Sequence, residues 1–293
     1  MSSYKFIVNP IAGGGKAYSL MPGLIAFMKK SGKDFDIYET QGPQDAIEAA
    51  RNAAKDGYDI VVAVGGDGTL NEVLNGIVGT EAILAVVPGG KGNDFATAVK
   101  MPSAIEPVCQ VLLDANIKLI DLGKVMDRYF INSVGIGFDA AVAERVNRGV
   151  KPFKGVSAYI YAVLEMLISY KTIEMEIDLG DGLFTCKPTL VAVGIGQAYG
   201  GGMKILPDAI QDDGLFDVCI LDEMKKPLML YHFPKVFKGK LKHLKESKMF
   251  RTKEVKIKMS DLRPMHLEGE ILRGDYMHFT IEEKAVPVLY GPE

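Results

Sequence analysis

Two aspartates, Asp67 and Asp94, stand in glycine-rich turns that each follow an apolar run, and a lysine, Lys16, stands in a third such turn. A carboxylate beside phosphate repels it unless a cation lies between them, so Asp67 in such a turn points to a polyphosphate handled with Mg²⁺. The richest turn is Val61-Val62-Ala63-Val64-Gly65-Gly66-Asp67-Gly68-Thr69-Leu70-Asn71-Glu72. Its glycines allow close backbone approach, and free N–H groups at a helix start attract phosphate. A plain strand-to-helix turn capped by Asp67 and Thr69 would use the same residues. The second turn, Asn9-Pro10-Ile11-Ala12-Gly13-Gly14-Gly15-Lys16, is not a Walker A loop. Pro10 takes the place of the first glycine, and Ala17 follows Lys16 where Ser or Thr would hold Mg²⁺. The third is Pro88-Gly89-Gly90-Lys91-Gly92-Asn93-Asp94-Phe95-Ala96. Each glycine costs conformational entropy on folding, so three such turns are poorly explained as connectors and well explained as one nucleotide site.

The elements that must position these turns are legible in the apolar periodicity. Strands are expected over residues 4–9, 35–40, 60–64 and 83–87, with amphipathic helices near 18–30, 43–56 and 70–77. This alternation is the pattern of βαβ units and a mainly parallel sheet, whose ligands bind outside the carboxyl ends of the strands. After Lys118 the pattern changes. Strand-like runs at 119–125, 129–136, 173–179, 184–193, 216–221, 255–259 and 278–282 follow one another, with helices expected only at 140–146 and 157–169. The fold class expected is an α/β nucleotide-binding domain with a mainly parallel sheet, plus a second, mainly antiparallel β-sandwich domain.

At 293 residues the chain is long enough for about two domains, taking roughly 150 residues for each. Apolar residues make up 48% and charged residues 24%, an ordinary folded composition. A net charge of −3 argues against a nucleic-acid partner. The short apolar run Phe6-Ile7-Val8 is no secretion signal, and residues 156–170 contain Glu165 and fall short of the ~20 residues of a membrane span, so a cytoplasmic protein without a transmembrane segment is expected. The 156–170 helix is read as core. Three unpaired cysteines, Cys109, Cys186 and Cys219, suit reduced thiols, and the four histidines share no metal-ligand spacing. Between Lys225 and Lys258, twelve lysines and arginines accompany only Glu246 and Glu254, with Leu228, Leu230, Phe233, Phe237 and Leu241 interleaved. Such a run is either a solvated helix face or an amphipathic patch for reversible docking on an anionic membrane.

Taken in order, the N-P-x-A-G-G-G-K, G-G-D-G-T-L-N-E and P-x-G-x-G-N-D-F-A turns resemble the catalytic domain of the diacylglycerol kinase and related bacterial lipid kinase family. The resemblance continues through Pro207-Asp208-Ala209-Ile210-Gln211-Asp212-Asp213-Gly214-Leu215-Phe216-Asp217 and His266-Leu267-Glu268-Gly269-Glu270, and so spans nearly the whole chain. It implies an ATP- and Mg²⁺-dependent kinase acting on a lipid hydroxyl, such as that of diacylglycerol, with Glu270 as general base and Asp67 also catalytic. ATP would be met by Asn9, Gly13, Gly14, Lys16, Thr40, Gly65, Gly66, Asp67, Gly68, Thr69, Leu70, Asn71, Glu72, Gly90, Lys91, Asn93 and Asp94, with Asp121 in support. A structural Mg²⁺ would take the Ile210 carbonyl, the Asp213 carboxylate and the Leu215 carbonyl. The resemblance further implies domains at 1–125 and 126–283, with residues 284–293 returning to the first, a last strand over 286–290, and the option of a homodimer. Two positions depart from the family pattern. Lys91 stands where Thr is usual, and Glu268 replaces the Asp of D-G-E. Two other readings share parts of the pattern: an NAD kinase, which also uses G-G-D-G-T, and a noncatalytic lipid-binding protein on a kinase fold.

Overall fold

The structure is a computed structural model that describes residues 2–150, 152 and 156–292. The first half alternates β1 (Ser3–Val8), α1 (Lys16–Ser31), β2 (Asp34–Glu39), α2 (Asp45–Lys55), β3 (Ile60–Gly65), α3 (Asp67–Ile77), β4 (Ile83–Pro88), α4 (Asp94–Ala98) and α5 (Ile105–Asp114). β3 is buried at every residue, which is why it reads as an unbroken apolar run: helices cover both faces of a parallel sheet. α2 buries Ala46, Ala49, Ala50 and Ala53, one stripe at helical spacing. The stripe is narrow enough for α3 to press close, since a Cβ on Gly76 would stand 2.5 Å from the Ala50 Cβ.

The parallel strands lie in the order β2-β1-β3-β4. The chain winds outward from β1 to β2 and then crosses back to β3, so the winding direction reverses between β1 and β3. That reversal opens a crevice beyond their carboxyl ends. The Asn9 and Gly66 turns leave the sheet at those two ends, and the Gly89 turn leaves β4 beside them.

The second half contains β5 (Ile117–Val125), β6 (Arg128–Phe130), β7 (Ser133–Gly137), α6 (Phe138–Asn147), α7 (Val156–Ser169), β8 (Met175–Asp178), β9 (Leu183–Cys186), β10 (Leu190–Gly194), β11 (Phe216–Leu221), α8 (Lys226–Val236), β12 (Ser247–Thr252), β13 (Glu254–Leu267) and β14 (Glu270–Leu289). Its pairings are antiparallel and form two layers around one core. β13 joins the layers. Its first part pairs with β8, its register shifts between Lys258 and Arg263, and its last residues pair with β7. A strand that changes sheets at an irregularity makes the corner of a sandwich. β10 and β11 show the two-residue period plainly: Val191, Val193, Phe216, Val218 and Ile220 enter the sandwich core, while Leu190, Ala192, Cys219 and Leu221 face a second cluster beneath α8. β14 runs back into the first half, where Val288 pairs with Leu84 of β4 and Val286, Val288 and Leu289 join the first core.

The architecture is the α/β-plus-sandwich expected, with local differences. The 184–193 run is two strands because Pro188 has no N–H to donate to a ladder. The 129–136 run is likewise split into β6 and β7, and the two runs near the C-terminus are one 20-residue strand, β14. The lysine-rich run is not one helical face. It passes through α8, a 3-10 turn at Leu241–His243, β12 and β13, and many of its cations are paired: Lys242 with Asp208 at 2.6 Å, Lys248 with Asp222 at 2.7 Å, and Arg251 with Asp213. The 156–170 helix is only partly core. Ala162 and Val163 are buried, whereas Ile160, Leu164 and Ile168 form an exposed stripe, Ile168 at 76% exposure. Among the described residues no helix is long and apolar enough to cross a membrane.

Candidate functional site

The three glycine-rich turns meet. At the end of β1, Asn9 donates its backbone N–H to Val64 O (3.0 Å) and its side-chain Nδ2 to Thr69 Oγ1 (3.2 Å), tying the first turn to the second. Gly13 has φ +63°, and a Cβ there would stand 2.2 Å from Gly89 O, so the first turn also lies on the third. Gly90 lies on Gly66, with a Cβ on Gly90 falling 2.4 Å from the Gly66 Cα. Neither backbone can yield without opening the crevice. Gly90→Ala must part these two turns, and we expect it to lower Tm by a few degrees, the effect of an overpacked contact costing about 1–3 kcal/mol; a thermal melt checks it. Asn93, at φ +55°, closes the third turn by accepting Gly90 N–H (2.8 Å) and donating to Gly90 O (3.1 Å).

The two aspartates face one glycine. A Cβ on Gly92 would lie 2.9 Å from Asp67 Oδ2 and 3.3 Å from Asp94 Oδ2. Asp67 Oδ1 accepts the Phe95 N–H (3.2 Å). Asp94 accepts N–H groups from the other half of the chain, Gly201 to Oδ2 (2.8 Å) and Gly202 to Oδ1 (2.6 Å). Burial, and then the charge of Asp94, push the Asp67 carboxyl above its ordinary value. A buried carboxylate with a second carboxylate beside it is a place where a divalent cation lowers the energy. The donor set is hard oxygen, and among the described residues there is no cluster of three or more His, Cys, Asp or Glu side chains arranged to hold a metal. The site therefore fits a Mg²⁺ that takes its remaining ligands from phosphate and water rather than from a full protein cage.

The other expected nucleotide residues divide. Gly14 and the exposed Lys16 sit at the mouth of the first turn, Lys16 as the first residue of α1, and the exposed Lys91 sits on the third. Thr40, just past β2, hydrogen-bonds Val8 O through its N–H at 2.8 Å. Gly65 ends β3, and Gly68 and Thr69 lie in the first turn of α3. Leu70 is in the core, leaving only its backbone for a ligand. Glu72 accepts the Ala46 N–H (3.2 Å) at the start of α2, and so acts between helices. Asn71 Nδ2 donates to Tyr129 O (2.9 Å) and to Glu268 Oε2 (2.7 Å).

That last bond brings in the C-terminal acids. Glu268 has φ +48° and is buried at 7% exposure; its Oε1 accepts the N–H groups of Ile131 (2.9 Å) and Asn132 (2.6 Å). Burial pushes its carboxyl up to about 7, against the three donated hydrogen bonds. Its carbonyl lies 3.8 Å from a Cβ position on Gly68, one residue from Asp67. The Glu268-Gly269-Glu270 turn therefore rests on the start of α3. Glu270 is 40% exposed, its Oε1 held by Arg128 at 3.3 Å and its Oε2 free of protein partners among the described residues.

The loop expected to hold a structural Mg²⁺ is arranged otherwise. Asp213 Oδ2 is paired with Arg251, and Oδ1 accepts the Leu215 N–H (3.2 Å); Ile210 is exposed. Its carboxylate is already neutralised by a guanidinium, so a cation would have to displace Arg251, and these residues as placed do not fit one. Asp121, fully buried, accepts Gly214 N–H (2.7 Å) and Lys284 N–H (2.7 Å), which makes it the anchor of this loop rather than part of the phosphate turns.

Sequence reasoning missed a pocket and a network. Beneath α6, α7 and α8 lies a mostly apolar pocket lined by Phe138, Val163, Leu190, Met203, Leu221 and Phe233 among others. Its polar wall is Asp139, whose Oδ2 accepts the Tyr199 hydroxyl at 2.7 Å and lies 3.7 Å from His266 Nε2. Burial raises the Asp139 carboxyl and lowers His266, which favours the neutral imidazole. The sequence signals that bear on this region are the apolar residues of the 156–170 helix, those interleaved with the lysine run, such as Leu230, Phe233 and Leu241, and the glycine run Gly200-Gly201-Gly202.

The comparisons with known proteins agree with this geometry. Residues 3–125 match the family described as diacylglycerol kinase catalytic domain, and residues 132–290 match the YegS C-terminal NAD kinase beta sandwich-like domain. The chain is 32% identical to a diacylglycerol kinase of Staphylococcus epidermidis over 270 residues, 91% of this chain and 85% of the relative. It is 31% identical to one of Staphylococcus haemolyticus over 91% of this chain and 81% of that protein. The crystal structure of a diacylglycerol kinase from Bacillus anthracis shares the fold, with a TM-score of 0.78 over 99% of this chain and 97% of the other at 20% identity. The chain belongs to the bacterial diacylglycerol kinase family of lipid kinases.

Proposed function

We propose that this protein transfers the γ-phosphate of ATP to the hydroxyl of a lipid, diacylglycerol or a related lipid alcohol, in a Mg²⁺-dependent reaction at the crevice between β1 and β3. The observation that carries this reading is the meeting of three glycine-rich turns and two facing carboxylates on one side, and an apolar pocket joined to Asp94 through Gly201 and Gly202 on the other. A nucleotide and an acyl chain have separate, adjoining places.

The turns supply N–H groups and Lys16 to the phosphates, and the close-packed glycines exclude side chains from the polyphosphate path. Asp67 and Asp94 would hold Mg²⁺, which on binding neutralises charge at the transferring phosphoryl group. Glu270 accepts the proton of the lipid hydroxyl through Oε2 while Arg128 fixes Oε1; the lipid oxygen bonds to the γ-phosphorus, the bond from that phosphorus to the β–γ bridging oxygen breaks, and ADP leaves. Glu268 sets the turn that carries the base. Lys91 offers a positive charge to the triphosphate where the family's usual residue would offer a hydroxyl. We expect Lys91→Ala to raise the KM for ATP ~10-fold or more, since a charge-assisted contact of this kind contributes about 1.5–3 kcal/mol when well formed; an unchanged KM removes Lys91 from the site.

A cytoplasmic protein that meets its substrate at a membrane surface follows from this reading. Titration calorimetry tests its nucleotide half. Saturable MgATP binding that Asp67→Asn abolishes supports it, whereas binding of NAD in place of a lipid alcohol favours the NAD kinase alternative, and lipid binding without any nucleotide binding favours a noncatalytic protein.

A further inference from the structure

We propose that the five-residue turn from Tyr199 to Met203 couples the lipid pocket to the nucleotide site, with Tyr199 as a positioning residue that acts on Asp94. This inference rests on the kinase reading above. Tyr199 and Met203 both line the apolar pocket and are buried, at 3% and 7% exposure. They close the turn on each other, Tyr199 N–H to Met203 O at 3.2 Å and Met203 N–H to Tyr199 O at 3.0 Å. Between them stand Gly200, Gly201 and Gly202, all at positive φ (64°, 84° and 94°). The backbone N–H groups of Gly201 and Gly202 are the ones that hold the two oxygens of Asp94. One end of a tight turn is thus the wall of the pocket, and its tip is the clamp on a carboxylate of the phosphate site.

The base of the turn is fixed on the pocket side. The Tyr199 hydroxyl donates to Asp139 Oδ2 at 2.7 Å, its ring lies 4.7 Å from that of His266, and the Tyr159 hydroxyl bonds Met203 Sδ at 3.3 Å. Asp139, Tyr159, Tyr199 and Met203 line the pocket. An apolar chain in the pocket packs against Tyr199 and Met203, restrains the base of the turn, and with it the two N–H groups that orient Asp94. A ligand shifts such an equilibrium only by contacts that differ between the two arrangements, and the packing on Tyr199 and Met203 is that difference. The coupling is reciprocal: the lipid tightens nucleotide binding by the factor by which nucleotide tightens lipid binding.

The test is the Kd of MgATP by calorimetry with and without dioleoylglycerol methyl ether, a probe whose reacting hydroxyl is blocked, presented in mixed micelles. In the wild type we expect the probe to tighten ATP binding about 5- to 150-fold, the usual range of such coupling. Tyr199→Phe keeps the ring that the probe packs against and loses the bond to Asp139 that fixes the base of the turn; we expect its ATP affinity without probe to fall and the probe to restore part of it, so that the coupling factor rises above that of the wild type. In turnover the same variant raises the KM for ATP at saturating lipid more than it lowers kcat, a split that a general loss of folding would not give. Should the variant fold poorly, hydrogen exchange of the wild type decides, since the Gly201 and Gly202 amides must slow on adding the probe. Wild-type ATP binding and lipid turnover without any probe effect, or unaltered exchange at those amides, overturns the coupling alone. Absence of ATP binding in the wild type overturns the kinase reading and the coupling with it.

Discussion

Glu270→Gln lowers kcat for lipid phosphorylation by ~10²- to 10⁴-fold, the contribution of a positioned general base, while the KM for ATP stays within about a factor of three. Among the described residues the Glu270 carboxylate is held only through Oε1, by Arg128, and the side chain is 40% exposed, so the amide occupies the same volume with little loss of stability. What the amide loses is the ability to take a proton. Asp67 cannot replace it, because Asp67 is committed to the Phe95 N–H and to the carboxylate pair with Asp94. A kcat that falls less than ~10-fold would assign the proton to another group or show that a step other than transfer limits turnover.

The second large effect belongs to Glu268 and is read in stability. Its carboxyl stands at about 7, against an ordinary 4.5, because it is buried. The folded protein therefore keeps a proton that the unfolded chain releases between those values, and stability falls as pH rises through that window and levels off above it. A shift of roughly 2.5 units amounts to about 3 kcal/mol at pH 8 relative to pH 4. Glu268→Gln keeps an oxygen for the Ile131 and Asn132 N–H groups and cannot ionise. Its NH2 group faces the Asn71 Nδ2 donor, a loss that does not vary with pH, and on top of it the difference from the wild type in urea unfolding should move in the variant's favour by about 2–3 kcal/mol between pH 5 and pH 8. Glu268→Ala should lose stability at every pH, because three donors are left without an acceptor at about 1–3 kcal/mol each. A difference between wild type and Glu268→Gln that does not change from pH 5 to pH 8 would mean that the three donated hydrogen bonds hold the carboxylate ionised throughout.

The parallel half of the fold was legible because its physics is local. Buried strands such as Val61-Val62-Ala63-Val64 show as apolar runs, the alanine stripe of α2 shows at helical spacing, and a glycine marks each place where the backbone must approach something closely. The antiparallel half was less so. β12, Ser247-Lys248-Met249-Phe250-Arg251-Thr252, is a charged edge strand that looks like a solvated run until its pairing with β11 is known. β14 looked like two strands because its register with β5 slips between Glu282 and Val286, where Lys284 takes φ +50°.

For the site, motif spacing marked the turns of Asp67 and Asp94, but no spacing could say that Asp94 is held from 107 and 108 residues away by Gly201 and Gly202. The same holds for Asn71 and Glu268, 197 residues apart in the chain and 2.7 Å apart in space. Leu70 and Glu72 illustrate the opposite failure. A motif carries every residue along with it, and the fold spends Leu70 on the core and Glu72 on the start of α2.

Transfer of the γ-phosphate of ATP to a lipid hydroxyl in this crevice is measured directly with radiolabel. ATP labelled in the γ-phosphate is supplied with Mg²⁺ to dioleoylglycerol, phosphatidylglycerol, a polyisoprenoid alcohol, a sphingoid base and NAD, with Glu270→Gln in parallel. Label in one of the lipids, dependent on Mg²⁺ and reduced by ~10²-fold or more in the variant, is the predicted result; label in NAD alone, or in none of the lipids, contradicts it.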